Sequence, residues 1–339
     1  MSNEQILDKF DRPFTDLRIS VTDRCNFRCQ YCMPKEIFGS DYPFLPTKEL
    51  LTIDEIARFV KAVAPYGLRK VRLTGGEPLV RAHVEDLVQI LRDNHPDLEL
   101  AMTTNGSLLP KKAPLLKKAG LDRVTISLDS LEDEVFMAMN GVNFPVQKVL
   151  DGISAAEDQE LFPIKINMVV KRGVNDQSIL PMAEYFRERG HTLRFIEYMD
   201  VGSTNGWKMD EVVPARQILE RLQAVHPLIP VEPDVPSEVA KRWKYKDSEV
   251  EIGLIASVTD PFCGNCTRLR MSSAGELFTC LFANQGHDLK SLLRGDASDT
   301  ELKNFLASLW GNRSDNYSQT RTAEGNSDED RIEMSYIGG

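Results

Sequence analysis

Over the first two hundred residues, short stretches of alternating apolar and polar positions are followed by longer stretches with apolar residues at helical spacing. Six alternating stretches read as strands, at 16–22, 70–75, 98–104, 123–129, 163–170 and 192–199. The helical stretches lie near 53–64, 83–94, 111–119, 145–157, 177–189 and 214–225. This order predicts parallel βα units joined by right-handed crossovers. Six units are too few to close an eight-stranded barrel. The expected fold class is therefore α/β, an open partial (βα)6 TIM-like barrel over residues 1–228, with a C-terminal extension over 229–339. A doubly wound sheet is the alternative.

Alternation within the strands says more. Leu17, Ile19 and Val21 share one face of the first strand, and Arg18, Ser20 and Thr22 the other. Val71 and Leu73 oppose Arg72 and Thr74; Val124, Ile126 and Leu128 oppose Thr125, Ser127 and Asp129; Ile164, Ile166 and Met168 oppose Lys165 and Asn167. A parallel sheet buried on both faces is apolar almost throughout. Here one face suits covering helices, and the other, polar and cationic, predicts a wet cavity. An ordinary solvent-exposed face is the other reading. In the sixth strand Arg194 and Glu197 fall on opposite faces, so alternation does not settle it.

Composition narrows the classes. The chain has 339 residues, is 42% hydrophobic and 27% charged, and carries a formal net charge of −10. An acidic balance argues against general binding to nucleic acid or membrane surfaces. No uninterrupted run of about 18 apolar residues occurs, so a cytoplasmic location is expected. In that compartment clustered cysteines point to metal or catalysis rather than disulfides.

All six cysteines fall in two triplets: Cys25, Cys29 and Cys32, then Cys263, Cys266 and Cys280. On a helix the first triplet would form one buried face, but Asn26, Arg28, Gln30 and the following Met33-Pro34 suit a loop better. Structural zinc takes four ligands, and His287 would complete a zinc site with the second triplet. An iron–sulfur cubane held by three cysteines keeps one iron open for another ligand. Two triplets thus suggest two [4Fe–4S] clusters, each with an open position. The first triplet follows strand one, at the end of the sheet where this fold class keeps its chemistry.

TGGEP (74–78) follows strand two, TTNG strand three and SLDS strand four. Together, C-x3-C-x-aromatic-C and GGEP resemble the radical S-adenosylmethionine superfamily. In that superfamily the open iron chelates the amine and carboxylate of S-adenosylmethionine, and an electron from the cluster cleaves the sulfonium to give a 5′-deoxyadenosyl radical. The resemblance places Tyr31 at the adenine, Gly76 at the methionyl end, Ser127 at the ribose or amino-acid part, and Met199 nearby.

CGNCTRLR (263–270), Cys280, LRISVTDRCNFRCQYCMP (17–34) and the terminal YIGG narrow the resemblance to the GTP 3′,8-cyclase family of molybdenum cofactor biosynthesis. This implies a lyase whose radical takes the 3′ hydrogen of GTP, after which the 3′ carbon attacks carbon-8 of guanine. It also implies that the second cluster positions the guanine, a hand-off to cyclic pyranopterin monophosphate synthase, and a homodimer; the electron donor is unknown. Radical peptide-maturing enzymes share the first triplet but usually carry more C-terminal cysteines, and a zinc-stapled adaptor is a further alternative.

The residues fit such a substrate. If the segment after Cys266 is extended, Cys266, Arg268 and Arg270 share a face. No P-loop motif is present, so a triphosphate needs separate side chains; Arg18, Arg72 and Lys165 are the candidates, and resemblance adds Thr103. Surface ion pairing is the alternative role for these arginines. Residues 311–331 are mostly polar and read as a flexible connection. Beyond them apolar character returns, and Gly338 and Gly339 have no side chains to obstruct a crowded space. By default such a terminus is dispensable; resemblance instead brings the double glycine into the active site. One departure is Asp11, where the family pattern is Phe-Gly-Arg; the acidic run at 326–330 is another.

Overall fold

The computed structural model describes residues 5–320 and 331–339. Six βα units open the chain: β1 (Asp16–Ser20), α1 (Ile53–Val63), β2 (Lys70–Thr74), α2 (Val84–Asn94), β3 (Glu99–Thr104), α3 (Leu109–Lys118) and β4 (Arg123–Ser127). They continue through α4 (Asp133–Asn140), α5 (Val146–Asp158), β5 (Lys165–Val170), α6 (Ile179–Glu188), β6 (Thr192–Glu197) and α7 (Ala215–Gln223). The C-terminal part adds β7 (Leu228–Val231), β8 (Lys241–Tyr245), β9 (Glu251–Ile255), β10 (Arg268–Met271), β11 (Glu276–Phe278) and β12 (His287–Asp288). It ends with α8 (Lys290–Arg294), α9 (Asp299–Gly311), α10 (Tyr317–Thr320) and α11 (Met334–Ile337).

The strands form one sheet in the order β12-β11-β10-β1-β2-β3-β4-β5-β6-β9-β8-β7. The six-strand count is corrected in one respect. β10 pairs parallel with β1 and β9 parallel with β6, which extends the parallel run to eight strands. The sheet stays open, because the outer edges of β10 and β9 are taken by antiparallel β11 and β8. Neither added strand follows a helical stretch, so the alternation of elements does not reveal them.

Local chemistry supports the outer layer. Thr52 and Glu55 form a capping box at the start of α1, and Ser298 and Glu301 another at α9; each cap contributes about 1 kcal/mol. α1 buries Ile56, Phe59, Val60 and Val63, and α9, packed against it, buries Leu302, Leu306 and Trp310. The N- and C-terminal parts therefore share one core. Among the described residues no helix is long and apolar enough to cross a membrane.

Asp11 lies in the left-handed region, with φ of 58°. Asp enters that region more readily than most residues, so it can hold a turn position that suits glycine. The connection expected to be flexible is held in its described part: Arg313, Ser318 and Arg331 are all buried. The acidic run at 326–330 lies outside the described residues.

Candidate active site

The first cysteine loop leaves β1 and is pressed against the loop after β2. Gly76 N–H donates to the Thr22 carbonyl (2.8 Å) and Glu77 N–H to the Arg24 carbonyl (2.9 Å). A β-carbon on Gly75 would lie 2.5 Å from the Thr22 oxygen, and one on Gly76 would lie 2.3 Å from the Arg24 oxygen. The glycine pair is thus required by loop-on-loop packing. Glu77 joins the next loop: it accepts hydrogen bonds from the Thr104 hydroxyl and the Asn105 N–H, both 2.7 Å. Burial raises its carboxyl to about 7 despite these bonds. Asn105 Nδ2 in turn donates to Asn26 Oδ1 (2.8 Å), inside the cysteine loop.

Cys29 turns that loop, its carbonyl accepting the N–H groups of Cys32 (3.0 Å) and Met33 (2.8 Å). This is a tight turn, not a face of a long helix. Burial pushes the Cys25 thiol up to about 12 and raises Cys29 and Cys32 as well. Buried thiols of this kind ionise only beside strong positive charge, which is what a metal cluster provides. The donor set therefore fits an iron–sulfur cluster. Tyr31 donates its hydroxyl to Asp129 Oδ2 (3.0 Å), whose other oxygen accepts the Val169 N–H (2.9 Å). Asp129, raised by burial to about 7, braces Tyr31. Only its placement in SLDS hinted at this part.

Across the cavity, Cys263 and Cys266 lie just before β10, and Cys280 follows β11. Arg268 donates to Cys266 Sγ at 3.2 Å. Burial opposes the Cys266 thiolate, but Arg268 and Arg313 outweigh it and bring the thiol down to about 6. A buried network holds the backbone of this loop. Arg12 Nη1 donates to the Cys263 carbonyl (2.6 Å) and Arg313 Nη1 to the Cys266 carbonyl (2.7 Å). Both arginines pair with Asp8, at 2.6 and 3.3 Å. His287 is exposed on β12, in register with Leu277. Among the described residues no three His, Cys, Asp or Glu side chains gather around a single ion. Cys263, Cys266 and Cys280 line the cavity and His287 does not. A cubane spreads its thiolates over separate irons and needs no such convergence. If the second triplet holds a cluster, Arg313→Ala is expected to lower the iron content while leaving the first triplet's iron in place. Arg313→Lys, which keeps the charge, should retain more iron. Iron analysis and electron paramagnetic resonance check this.

Between the triplets runs a row of cations. Arg270, Arg18 and Arg72 are in register on β10, β1 and β2, and neighbouring strands lie about 4.8 Å apart. Leu269 and Met271 are buried on the opposite face. Burial, together with Arg270 and Arg268, holds Arg18 well below its ordinary value; burial and Arg268 bring Arg270 down to about 10. The Nε atoms of Arg18 and Arg72 are buried without a hydrogen-bond partner. Mutual repulsion and orphaned donors describe a site shaped for an anion. Thr103 accepts from Arg72 (3.1 Å), and Thr125 accepts from both Arg72 and Arg194 (each 3.3 Å). Arg194 lines the cavity, with its own pKa lowered to about 9, chiefly by burial and Arg72. Alternation had left Arg194 unassigned. Its strand-mate Glu197 is structural, accepting from Ala215, Val258 and Thr259 N–H groups at 2.7–2.9 Å.

All six cysteines, Tyr31, Gly76, Ser127, Met199, Arg18, Arg72, Thr103, Arg268 and Arg270 line this one cavity, as does Gly339. Lys165 does not. It starts β5 among Arg194, Arg123, Lys70 and Arg72. The tail helix packs against β1: Ile337 is fully buried, and the Gly338 carbonyl accepts a hydrogen bond from Arg270 on β10.

Comparison with known proteins agrees with this geometry. The profile of the radical SAM superfamily matches residues 19–186, and that of Molybdenum Cofactor Synthesis C matches 191–319. The chain is 48% identical to a GTP 3′,8-cyclase of Acidothermus cellulolyticus, with 99% of each chain covered. It is 47% identical to one of Staphylococcus epidermidis, again over 99% of each. Among solved structures, Streptococcus suis SuiB bound to S-adenosylmethionine shares the fold, with a TM-score of 0.61 at 15% identity, over 88% of this chain and 69% of that one. The chain belongs to the GTP 3′,8-cyclase family of radical S-adenosylmethionine enzymes.

Proposed function

We propose that this protein converts GTP to (8S)-3′,8-cyclo-7,8-dihydroguanosine 5′-triphosphate, the first step of molybdenum cofactor biosynthesis, and that its product passes to cyclic pyranopterin monophosphate synthase. The observation that carries this reading is the arginine row lying between two cysteine triplets inside one cavity. Cys25, Cys29 and Cys32 would hold one [4Fe–4S] cluster and Cys263, Cys266 and Cys280 another; the first, with S-adenosylmethionine, supplies a hydrogen-abstracting carbon radical. Arg18, Arg72 and Arg270 hold the triphosphate, with Thr103 and Thr125 aligning the Arg72 fork and Arg194 closing the row. Arg268, beside Cys266, orients the nucleotide's far end toward the second triplet. Tyr31, fixed by Asp129, and Gly76, Ser127 and Met199 form the wall for S-adenosylmethionine. Burial keeps water from a reactive carbon centre and strengthens each charge-assisted bond, worth about 1.5–3 kcal/mol.

The test is direct. Anaerobic protein with both clusters, given GTP, S-adenosylmethionine and a reductant, is expected to form an isomer of GTP together with 5′-deoxyadenosine. Uncoupled 5′-deoxyadenosine with GTP unchanged would reject the substrate assignment.

Binding should also carry a proton signature. Burial first, then Arg194 and Arg123, lower Lys165 to about 8. Below that pH it is charged and adds to the field of the row. Above it the charge is lost, so GTP affinity falls as pH rises through about 8. A bound polyanion favours the charged form, so binding takes up protons just above that pH. The last phosphate proton leaves near pH 6 and does not interfere. Calorimetry in buffers of different ionisation enthalpy measures the uptake, which Lys165→Gln should abolish.

A further inference from the structure

The C-terminal tail is fastened well before its glycines. Glu333, just ahead of α11, accepts hydrogen bonds from the Ser203 N–H (3.0 Å), the Ser203 hydroxyl (3.2 Å) and the Thr204 hydroxyl (3.0 Å). Gly202 faces the same carboxylate. Its φ is +68°, and a β-carbon there would lie 2.2 Å from Glu333 Oε2. Two residues earlier, Arg331 donates to the Asp200 carbonyl (2.6 Å) and carboxylate (2.8 Å), with its guanidinium 4.6 Å from the Tyr317 ring centroid.

These anchors lie on the loop after β6, and that loop is itself braced on the cavity wall. Asn205 Nδ2 donates to the Met199 carbonyl and Trp207 Nε1 to the Tyr198 carbonyl, both 2.9 Å. Met199 and Tyr198 line the cavity. From Glu333 the chain makes one turn of α11 and delivers the Gly338 carbonyl to Arg270, while the Tyr336 hydroxyl donates to Glu276 at 2.6 Å. One loop therefore both walls the side assigned to S-adenosylmethionine and sets where the tail begins.

We propose that Glu333 is a positioning residue that locks the tail to residues 202–204, so that Gly338 meets Arg270 only while the loop after β6 is in place. Radical formation and cyclisation are thereby mechanically linked. This inference rests on the function proposed above and names a residue outside the cofactor and substrate contacts.

The experiment uses full-length, anaerobically purified protein with both clusters. It compares the wild type with Glu333→Ala, Glu333→Gln and Gly202→Ala. The readouts are iron content, cyclised product per 5′-deoxyadenosine, and amide exchange of residues 334–339. With Glu333→Ala, iron and 5′-deoxyadenosine release stay near wild type. The product ratio falls by roughly tenfold to a hundredfold, as expected for small misplacement of a reacting geometry, and the tail amides exchange faster. Glu333→Gln, which still offers one acceptor oxygen, loses less. Gly202→Ala reproduces the loss by displacing the carboxylate. An unchanged ratio in Glu333→Ala overturns the proposal, and so does a parallel fall of product and 5′-deoxyadenosine, which marks a merely structural role. If Glu333→Ala loses its iron, the ratio in Glu333→Gln and Gly202→Ala decides on the same terms. If the wild type makes no cyclised product, the function assignment fails, while the exchange of residues 334–339 still reports whether the latch exists.

Discussion

Cys29→Ser is expected to abolish reductive cleavage of S-adenosylmethionine, with 5′-deoxyadenosine release falling roughly 10³-fold or more, about 4 kcal/mol in barrier. The turn built on Cys29 uses its backbone carbonyl, which accepts the Cys32 and Met33 N–H groups at 3.0 and 2.8 Å. Serine keeps that carbonyl, so the loop retains its shape. What is lost is sulfur, the donor that iron–sulfur clusters use; an alcohol ionises far less readily than a thiol. Burial already opposes the charged form at this position. Quantifying 5′-deoxyadenosine by chromatography, alongside iron content, decides the matter. Normal release from the serine variant would show that these cysteines do not hold the reactive cluster.

The second large effect concerns the tail. Deleting Gly338 and Gly339 should leave iron and uncoupled 5′-deoxyadenosine formation near normal while cyclised product falls roughly 10²-fold. Gly338 has φ of +75°, and a β-carbon there would lie 2.4 Å from Thr74 Cγ2. Its carbonyl is the hydrogen-bond acceptor that aims the buried guanidinium of Arg270. Gly338→Val meets both obstacles: φ of 75° with ψ of 114° lies outside the regions that side chains adopt, and the branched side chain enters space that Thr74 fills. It should therefore resemble the deletion. Product formation at the full-length rate in either variant would reduce the tail to an ornament of packing.

Much of this was legible in the sequence, and the reasons are local. Period-two alternation placed Arg18, Arg72 and Ser127 on the inner face, because a strand leaves its side chains no other choice. The i, i+2, i+4 spacing placed Cys266, Arg268 and Arg270 together for the same reason. The parts that were missed depend on contacts between distant segments. Arg12 reaches the Cys263 carbonyl across 251 positions and Arg313 reaches Asp8 across 305; no spacing rule carries such pairs. Alternation does not settle the sixth strand, because Arg194 and Glu197 fall on its opposite faces; the contacts do, since the Glu197 carboxylate is taken by backbone N–H groups while Arg194 lines the cavity. Tyr31 was assigned through resemblance, but its brace, Asp129, was not. β9 follows β8 and β10 follows β9 with no α-helix between them, so the alternation that revealed β1 to β6 is silent there.

The central claim is that one cavity brings a radical generated at the first cysteine triplet to the ribose of GTP held by the arginine row. The most direct measurement uses GTP carrying deuterium at the 3′ carbon, with anaerobic full-length protein, S-adenosylmethionine and a reductant, and reads the mass of the 5′-deoxyadenosine released. The account predicts singly deuterated 5′-deoxyadenosine forming together with the cyclised nucleotide. Unlabelled 5′-deoxyadenosine formed alongside cyclised product would contradict it.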